Sequence, residues 1–162
     1  MRFAIVSVPQ CLVLSVSFVV FAAACSMAGG GDSKPLDAEY AKLEGTWRVL
    51  SLEVDGMKIP EGAIKEARLI IKGRDFTMKD PVATYRGTFS IDRAKKPKTI
   101  DIKFTEGPEK GNTSLGIYEL NGNELKMCLT ITAKNRPTAF EAKAKSGHGF
   151  EVLRREKPAA DR

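Results

Sequence analysis

Alternation of apolar and polar side chains is the dominant pattern in the body of the chain. In the clearest segment, Ile100, Ile102 and Phe104 share one face of an extended chain. Asp101 and Lys103 point to the opposite face, which is the pattern of a half-buried β-strand. Comparable runs, rich in β-branched and aromatic residues, predict further strands. These lie at residues 46–54, 67–72, 76–79, 84–92, 115–120, 124–132 and 150–156, and the run at 140–145 is a further candidate.

Turn-forming sequences connect these predicted strands. Asn121-Gly122 accepts positive φ at both positions and predicts a tight hairpin. Residues 73–75, 95–98 and 107–112 have the composition of further hairpin connections. Strands joined in this way form an antiparallel meander, and about eight of them must close into a barrel or pack as two sheets, because open edges invite pairing with other chains. The single helical candidate, residues 60–66, is short and serves as a cap or crossover.

A glycine and a tryptophan at the start of the first strand favour the barrel. Gly45 and Trp47 resemble the G-x-W sequence of lipocalins, in which the indole lies across one end of the barrel and an arginine of the last strand covers it. Arg154 and Arg155 are the candidates for that arginine. The alternative is a core tryptophan with ordinary surface arginines. We therefore predict an all-β, antiparallel up-and-down lipocalin-like barrel of about eight strands with one short helix.

The N-terminal part of the chain follows a different pattern. Arg2 is followed by an uncharged, largely apolar run that ends in Ala22-Ala23-Ala24, which predicts a signal peptide over residues 1–24. Small residues before Cys25 resemble the bacterial lipobox, whose cysteine is lipidated. We expect export to the cell envelope and a lipid anchor on Cys25, in a membrane facing the periplasm or the exterior. Because Ala22 stands where leucine is commoner, ordinary cleavage and secretion is the alternative.

These boundaries divide the rest of the chain. Residues 25–40, which are Gly- and Ser-rich at 26–33, are expected to form a flexible tether that lets an anchored domain clear the lipid headgroups. Residues 41–157 are predicted to form the barrel domain, and residues 158–162 a disordered tail.

Composition narrows the class of protein. The 162 residues suit one domain, and 43% hydrophobic with 28% charged residues is ordinary for a folded globular chain. The net charge of +6 is mild, and basic residues crowd together only at Lys95, Lys96 and Lys98. A nucleic-acid surface would interleave basic residues with stacking aromatics, so no nucleic-acid partner is expected. A solvated cationic surface, weakly attracted to anionic lipid, is the favoured interpretation.

Residue types that carry catalysis or bind metals are sparse. His148 is the one histidine, and Ser146 beside it lacks an assignable acid to complete a nucleophile–base pair. Cys128 lies inside a predicted strand, where a lone cysteine is usually a small buried hydrophobe. One histidine and one cysteine cannot supply a zinc site, and Glu106 and Glu109 are expected to be solvated loop residues. We therefore predict neither an enzyme nor a cofactor-binding protein.

The interior of the predicted barrel is the remaining candidate site. An eight-stranded barrel either fills its interior with side chains or holds one small apolar ligand, and the sequence leaves both open. The candidate lining residues are the apolar alternates Phe76, Met78, Phe89, Ile100, Ile102, Phe104, Leu115, Ile117 and Met127. The alternative function is a cell-envelope interaction or scaffold domain with a filled barrel and no ligand. Its candidate patch is the turn 95–98 together with the loop 105–111.

Several longer motifs lie along the predicted barrel domain: GTWRVLSLEVDG at 45–56, YRGTFSID at 85–92, KKPKTIDIKFTEGPEKG at 95–111, LGIYEL at 115–120, LKMCL at 125–129, RPTAF at 136–140 and VLRRE at 152–156. Together these motifs resemble a family of uncharacterised small lipocalin-like domains that is expanded in planctomycete-type bacteria. The resemblance covers residues 43–157 and implies an exported lipocalin-like barrel. It implies no activity, because the family has no established one.

Overall fold

Nine strands and two helices make up residues 33–157, which are the residues that the computed structural model describes. The predicted signal peptide, Cys25, residues 25–32 of the predicted tether and the tail 158–162 lie outside the described residues. In chain order the elements are α1 (Ser33–Leu43), β1 (Gly45–Val54), β2 (Met57–Lys58), α2 (Glu61–Ile64), β3 (Arg68–Lys72), β4 (Asp75–Lys79), β5 (Thr84–Asp92), β6 (Lys98–Glu106), β7 (Thr113–Asn121), β8 (Glu124–Thr130) and β9 (His148–Arg155).

The strands form a closed antiparallel barrel. From β3 to β9 each strand pairs with the next along the chain, and β1 pairs with both β3 and β9, which closes an eight-stranded ring. The two-residue β2 lies outside this ring and pairs only with Glu53 and Val54 at the end of β1. The prediction of an up-and-down lipocalin-like barrel is confirmed. Because the ring is closed, each of the eight strands pairs with a neighbour on both sides and none is an edge strand.

Strand register decides which side chains face the interior. Phe89 of β5 lies opposite Ile102 of β6, and Ile91 lies opposite Ile100. All four side chains are buried in one hydrophobic cluster, because directly opposed residues in an antiparallel pair point to the same side. The alternation seen in the sequence of β6 is therefore the alternation between the barrel interior and its outer face.

One end of the barrel is closed by α1 and by Trp47. The indole is fully buried, and its Nε1 donates a hydrogen bond to the Leu43 carbonyl oxygen at 2.8 Å. Leu43 and Tyr40 of the helix are also buried in the core cluster. We refer to this arrangement of α1, Trp47 and the neighbouring Arg155 as the closed end.

Helix α1 was not anticipated from the sequence, and it overlaps the segment expected to be a flexible tether. Its last turns are tied to the barrel by Glu39, whose carboxylate accepts hydrogen bonds from Lys98 at 2.6 Å and from the Tyr118 hydroxyl at 3.3 Å. Glu39 and Tyr40 are buried, so the folded domain begins before the expected boundary at residue 41. The short helix expected within residues 60–66 is α2.

The long connection between β8 and β9 packs against the outside of the barrel. The Arg136 guanidinium donates hydrogen bonds to the carbonyl oxygens of Ile100 at 3.1 Å and Gly116 at 2.7 Å. The Cys128 thiol contacts the Glu141 carbonyl oxygen at 3.4 Å. This connection also places the Phe140 ring against the Phe150 ring of β9, with centroids 6.4 Å apart. It therefore covers part of the outer wall, which bears on how the sequence of β7 is interpreted below.

No helix within residues 33–157 has both the length and the apolar character needed to cross a bilayer.

Candidate functional site

The barrel interior holds a cavity of about 460 Å³, which we call the lumen. Its walls are mainly apolar, and it opens at the end of the barrel opposite the closed end. That opening, here called the mouth, is bordered by Asp80 after β4, by Glu109 and Asn112 between β6 and β7, and by Ile131 after β8. A cavity of this size lies within the range of small-molecule sites in proteins, about 300–1,000 Å³.

Most of the residues predicted to line the barrel interior do so. The residues from the predicted set that line the lumen are Phe76, Met78, Phe89, Ile100, Ile102, Phe104 and Met127. Phe76 and Phe104 meet edge to face with ring centroids 5.7 Å apart, and Tyr85 contacts Phe104 in a similar geometry at 6.2 Å. Such pairs favour fixed ring orientations, so this side of the lumen has a defined aromatic wall.

Leu115 and Ile117 do not line the lumen. Their side chains point to the outer face of β7, so their assignment to the interior was wrong. Ile117 lies opposite Cys128, whereas the neighbouring pair Tyr118 and Met127 points inward. Ile117 is nevertheless 1% exposed. Its burial comes from outside the barrel, because the β8–β9 connection covers Cys128 on the same face. Both faces of β7 are therefore apolar here, and alternation alone cannot tell them apart.

Two of the polar side chains in the lumen wall satisfy each other. The Ser114 hydroxyl donates to the Thr130 carbonyl oxygen at 2.7 Å, and the Thr130 hydroxyl accepts a hydrogen bond from the Leu115 backbone N–H at 2.9 Å. The cross-strand contact between the two hydroxyls is 3.3 Å. These groups are engaged in holding β7 to β8 at the mouth, and their hydrogen-bonding needs are met within the wall.

Glu151 is the exception among the buried polar residues of the lumen. It is 8% exposed and faces inward from β9, directly opposite Leu52 on β1 and Met127 on β8. Within residues 33–157 its carboxyl group has neither a hydrogen-bond partner nor a nearby charge, and burial alone raises its pKa to about 7. A carboxyl group without partners in an apolar wall disfavours its own ionisation.

Glu151 was missed in the sequence, because nothing local to β9 marks it as an interior residue. In β9, buried and half-buried positions alternate, and Glu151 is in phase with Gly149 and Leu153 rather than with Phe150 and Val152. An acidic residue that occupies the apolar phase of a strand is unexpected in a packed core. The sequence alone did not show which phase of β9 points inward, since Phe150 and Val152 are also apolar.

The charged side chains that line the lumen are all acidic. Asp80, Glu109 and Glu151 contribute to its wall, and no lysine, arginine or histidine of the described residues does. The two carboxylates at the mouth act on Tyr85: burial, followed by the charges of Asp80 and Glu109, raises the pKa of its hydroxyl. The lumen therefore combines apolar walls with charged side chains of one sign only.

Of the two arginines proposed to close the barrel, one covers Trp47 and the other faces solvent. The Arg155 guanidinium lies 4.1 Å from the centroid of the Trp47 ring and donates hydrogen bonds to the carbonyl oxygens of Lys42 and Glu44. Arg154 is exposed and points to the outer face, opposite Arg48 and Glu124. Trp47 does not line the lumen, so its fluorescence is not expected to report directly on a ligand there.

The other candidate residues lie apart from the lumen. The His148 ring is 3.2 Å from the Asn135 carbonyl oxygen, while the Ser146 hydroxyl accepts a hydrogen bond from the His148 backbone, not from its imidazole. Burial raises the pKa of the Cys128 thiol, although a hydrogen bond to Glu141 opposes this. Within residues 33–157 no three His, Cys, Asp or Glu side chains are grouped as metal ligands.

The surface patch considered for a scaffold role does not form one surface. The turn 95–98 precedes β6 and the loop 105–111 follows it, so they lie at opposite ends of the strand, roughly 25 Å apart. Lys98 is also engaged at the closed end by Glu39. The loop borders the mouth of the lumen through Glu109.

No family model, no curated protein and no solved structure matches this chain. The resemblance to the planctomycete-type family therefore stays a prediction from the sequence motifs.

Proposed function

We propose that this protein is an exported, lipid-anchored member of a lipocalin-like family that binds one small, mainly apolar molecule inside its barrel. The observation that carries the proposal is the lumen itself: about 460 Å³ of space within the barrel, walled mainly by apolar side chains. A barrel that served only as a scaffold would gain stability by filling this space, since unfilled core volume forfeits packing energy. The cavity thus favours ligand binding over the filled-barrel alternative.

Features of the mouth support access from solution. The large apolar side chains that are exposed include Val82 in the β4–β5 connection and Ile131 after β8, and both belong to segments at the open end. Ile131 also lines the lumen. Apolar residues around an opening lower the cost of moving an apolar ligand from water into the barrel.

The cellular setting in this proposal rests on the N-terminal sequence. A signal peptide of residues 1–24 and a lipid on Cys25 would hold the barrel at a membrane of the cell envelope, where apolar molecules partition. The protein would then take up its ligand at or near that membrane. Both N-terminal features lie outside the described residues.

The test is calorimetric titration of the full chain with decanol, a neutral apolar probe. We expect saturable binding with a negative heat-capacity change, because apolar surface is removed from water. In a Met78→Trp variant the indole occupies lumen space, so binding should weaken at least about tenfold while the protein stays folded. Met57→Trp is the matched control, since Met57 is 66% exposed outside the lumen, and it should bind as the wild type does.

Absence of decanol binding to the wild type, or equal binding by wild type and Met78→Trp, would contradict a ligand site in the lumen. A filled barrel also predicts a different effect of Met78→Trp on stability. The indole would overpack the interior and lower the free energy of unfolding by about 1–3 kcal/mol. Native mass spectrometry of protein purified from its own type of host can then identify the natural cargo as mass lost on denaturation.

A further inference from the structure

The lumen contains a polar feature that an entirely apolar ligand would leave unused. Glu151 lies in β9, three residues beyond His148, which places its backbone roughly 10 Å along the strand from the end at the mouth. Its side chain is 92% buried and faces the cavity. A carboxyl group at that depth is positioned to contact a ligand that has entered the barrel, not one that rests on the rim.

The wall residues that the structure describes supply Glu151 with no partner. The residues opposite it on both neighbouring strands are Leu52 and Met127, which are uncharged and cannot donate a hydrogen bond. The hydroxyls of Ser114 and Thr130 are already engaged with one another and with backbone groups. An unpartnered carboxyl costs stability in the empty barrel, and that cost falls when a ligand provides a donor.

The charges of the side chains that line the lumen favour one class of hydrogen-bond donor on the ligand. Among residues 33–157, the other charged groups that face the lumen are Asp80 and Glu109 at the mouth, and the remaining titratable group is the Tyr85 phenol. An anionic ligand such as a fatty acid would meet three carboxyl groups and no cation from the described residues. A cationic ligand would be attracted at the mouth and could pass the aromatic faces of Tyr85 and Phe104, which also favour a cation.

We propose that the ligand of the lumen is an apolar molecule carrying a protonated amine, and that the amine pairs with the carboxylate of Glu151. This inference rests on the proposed function, because it assigns the chemical class of the molecule held in the barrel. The apolar part lies against the aliphatic and aromatic wall, and the ammonium group donates charge-assisted hydrogen bonds to Glu151. Asp80 and Glu109 attract the cation toward the mouth without binding it deeply.

The pairing makes ligand affinity depend on pH in a defined direction. Burial raises the pKa of Glu151 to about 7 in the empty barrel, so the carboxyl must lose its proton when an ammonium group binds beside it. Affinity for an amine therefore increases as the pH rises through about 7 and then levels off. Affinity for a neutral alcohol of the same chain length should not increase over this range.

The experiment compares three probes with the same alkyl chain, decylamine, decanol and decanoate, by titration calorimetry on the full chain. We expect decylamine to bind at least about tenfold more tightly than decanol at about pH 8, and decanoate to bind most weakly. Glu151→Gln should abolish the advantage of decylamine while leaving decanol binding intact. Glu119→Gln on the partly exposed outer surface of β7 is the matched control and should keep the wild-type order of affinities for the three probes.

Each outcome decides between distinct failures. If no probe binds the wild type, both the ligand site and this inference fail. If decanol and decylamine bind equally well, the ligand site stands and the amine is overturned. If Glu151→Gln retains the preference for decylamine but Asp80→Asn or Glu109→Gln loses it, the assignment to Glu151 is overturned. Glu151→Leu provides a second neutral variant should the glutamine variant fold poorly.

Discussion

Glu151 on β9 and Met127 on β8 are directly opposed across the antiparallel pair, and both side chains point into the lumen. The same register places Leu52 of β1 on the other side of Glu151. An acidic group is thus enclosed by apolar side chains on both neighbouring strands. This arrangement has consequences for stability that can be measured without knowing the ligand.

Stability of the empty protein should fall as the pH rises toward neutrality. In the unfolded chain Glu151 titrates near its ordinary pKa of 4.5, whereas burial raises the pKa in the folded barrel to about 7. Between these values the folded state holds more protons than the unfolded state, so this group's contribution to stability falls with rising pH and is constant above about 7. The glutamate should therefore cost about 3 kcal/mol at about pH 8.

Glu151→Gln is expected to remove this pH dependence. At about pH 8 the variant should be more stable than the wild type by about 2–3 kcal/mol, and at about pH 4 the difference should vanish. Urea denaturation of both proteins at several pH values measures the effect. Equal stabilities at about pH 8 would mean that Glu151 has a partner or that solvent reaches it freely.

The two neighbouring arginines of β9 should differ sharply in their contribution to stability. Arg155→Ala removes the guanidinium over the Trp47 ring together with hydrogen bonds to two carbonyl oxygens, and should destabilise the fold by about 2–3 kcal/mol. Arg154→Ala, on the exposed face, should change stability by less than about 0.5 kcal/mol. Denaturant unfolding with Trp47 fluorescence as the signal compares them. Equal losses of stability in the two variants would show that Arg155 does not stabilise the closed end.

Glu39 should tie α1 to the barrel in a pH-dependent way. Burial by itself would raise the pKa of this carboxyl, but the hydrogen bonds and charges of Lys98 and Lys42 outweigh burial and lower the pKa. Stability from this group is therefore present above its unfolded pKa, near 4.5, and is lost as the pH falls through the lower folded value. Glu39→Gln should cost about 1–2 kcal/mol at about pH 7 and little in strong acid.

A matched control for Glu39 is available on the surface. Glu106 pairs with Arg86 at the same 2.6 Å separation as Glu39 with Lys98, but both partners of the surface pair are more than half exposed. Glu106→Gln should therefore change stability by less than about 0.5 kcal/mol. If the two glutamine variants lose the same stability at about pH 7, burial of Glu39 does not strengthen its contacts.

Cys25 provides the test of membrane anchoring. In cells of its natural host, wild-type protein should fractionate with membranes, and its N-terminal peptide should carry the mass of a lipid on Cys25. A Cys25→Ser variant should lose the lipid and leave the membrane fraction. A wild-type N-terminus at Cys25 without added mass would instead support ordinary secretion.

The sequence predicted the barrel well because its strands carry the information locally. In β6 the inward residues Ile100, Ile102 and Phe104 alternate with more polar neighbours, so one face is specified unambiguously. Trp47 likewise marks the closed end through a short local motif. Where one face of a strand meets solvent, period-two alternation is enough to assign the core.

The misassigned or missed features depend on contacts between distant parts of the chain. Ile117 is buried under the β8–β9 connection, and nothing in the sequence of β7 shows that this connection covers it. Helix α1 is held by contacts of Glu39 to Lys98 and Tyr118, more than fifty residues away. Glu151 could be assigned to the lumen only once the register of β9 against β8 was known.

Methionine methyl NMR provides the most direct test that the barrel interior is the ligand site. Met78 and Met127 line the lumen, whereas Met57 is exposed on β2. With ¹³C-methyl methionine in the full chain, titration with decanol should shift the Met78 and Met127 signals along one saturable curve and leave Met57 unchanged. Unchanged Met78 and Met127 signals at saturating decanol, or a shift confined to Met57, would contradict ligand binding in the lumen.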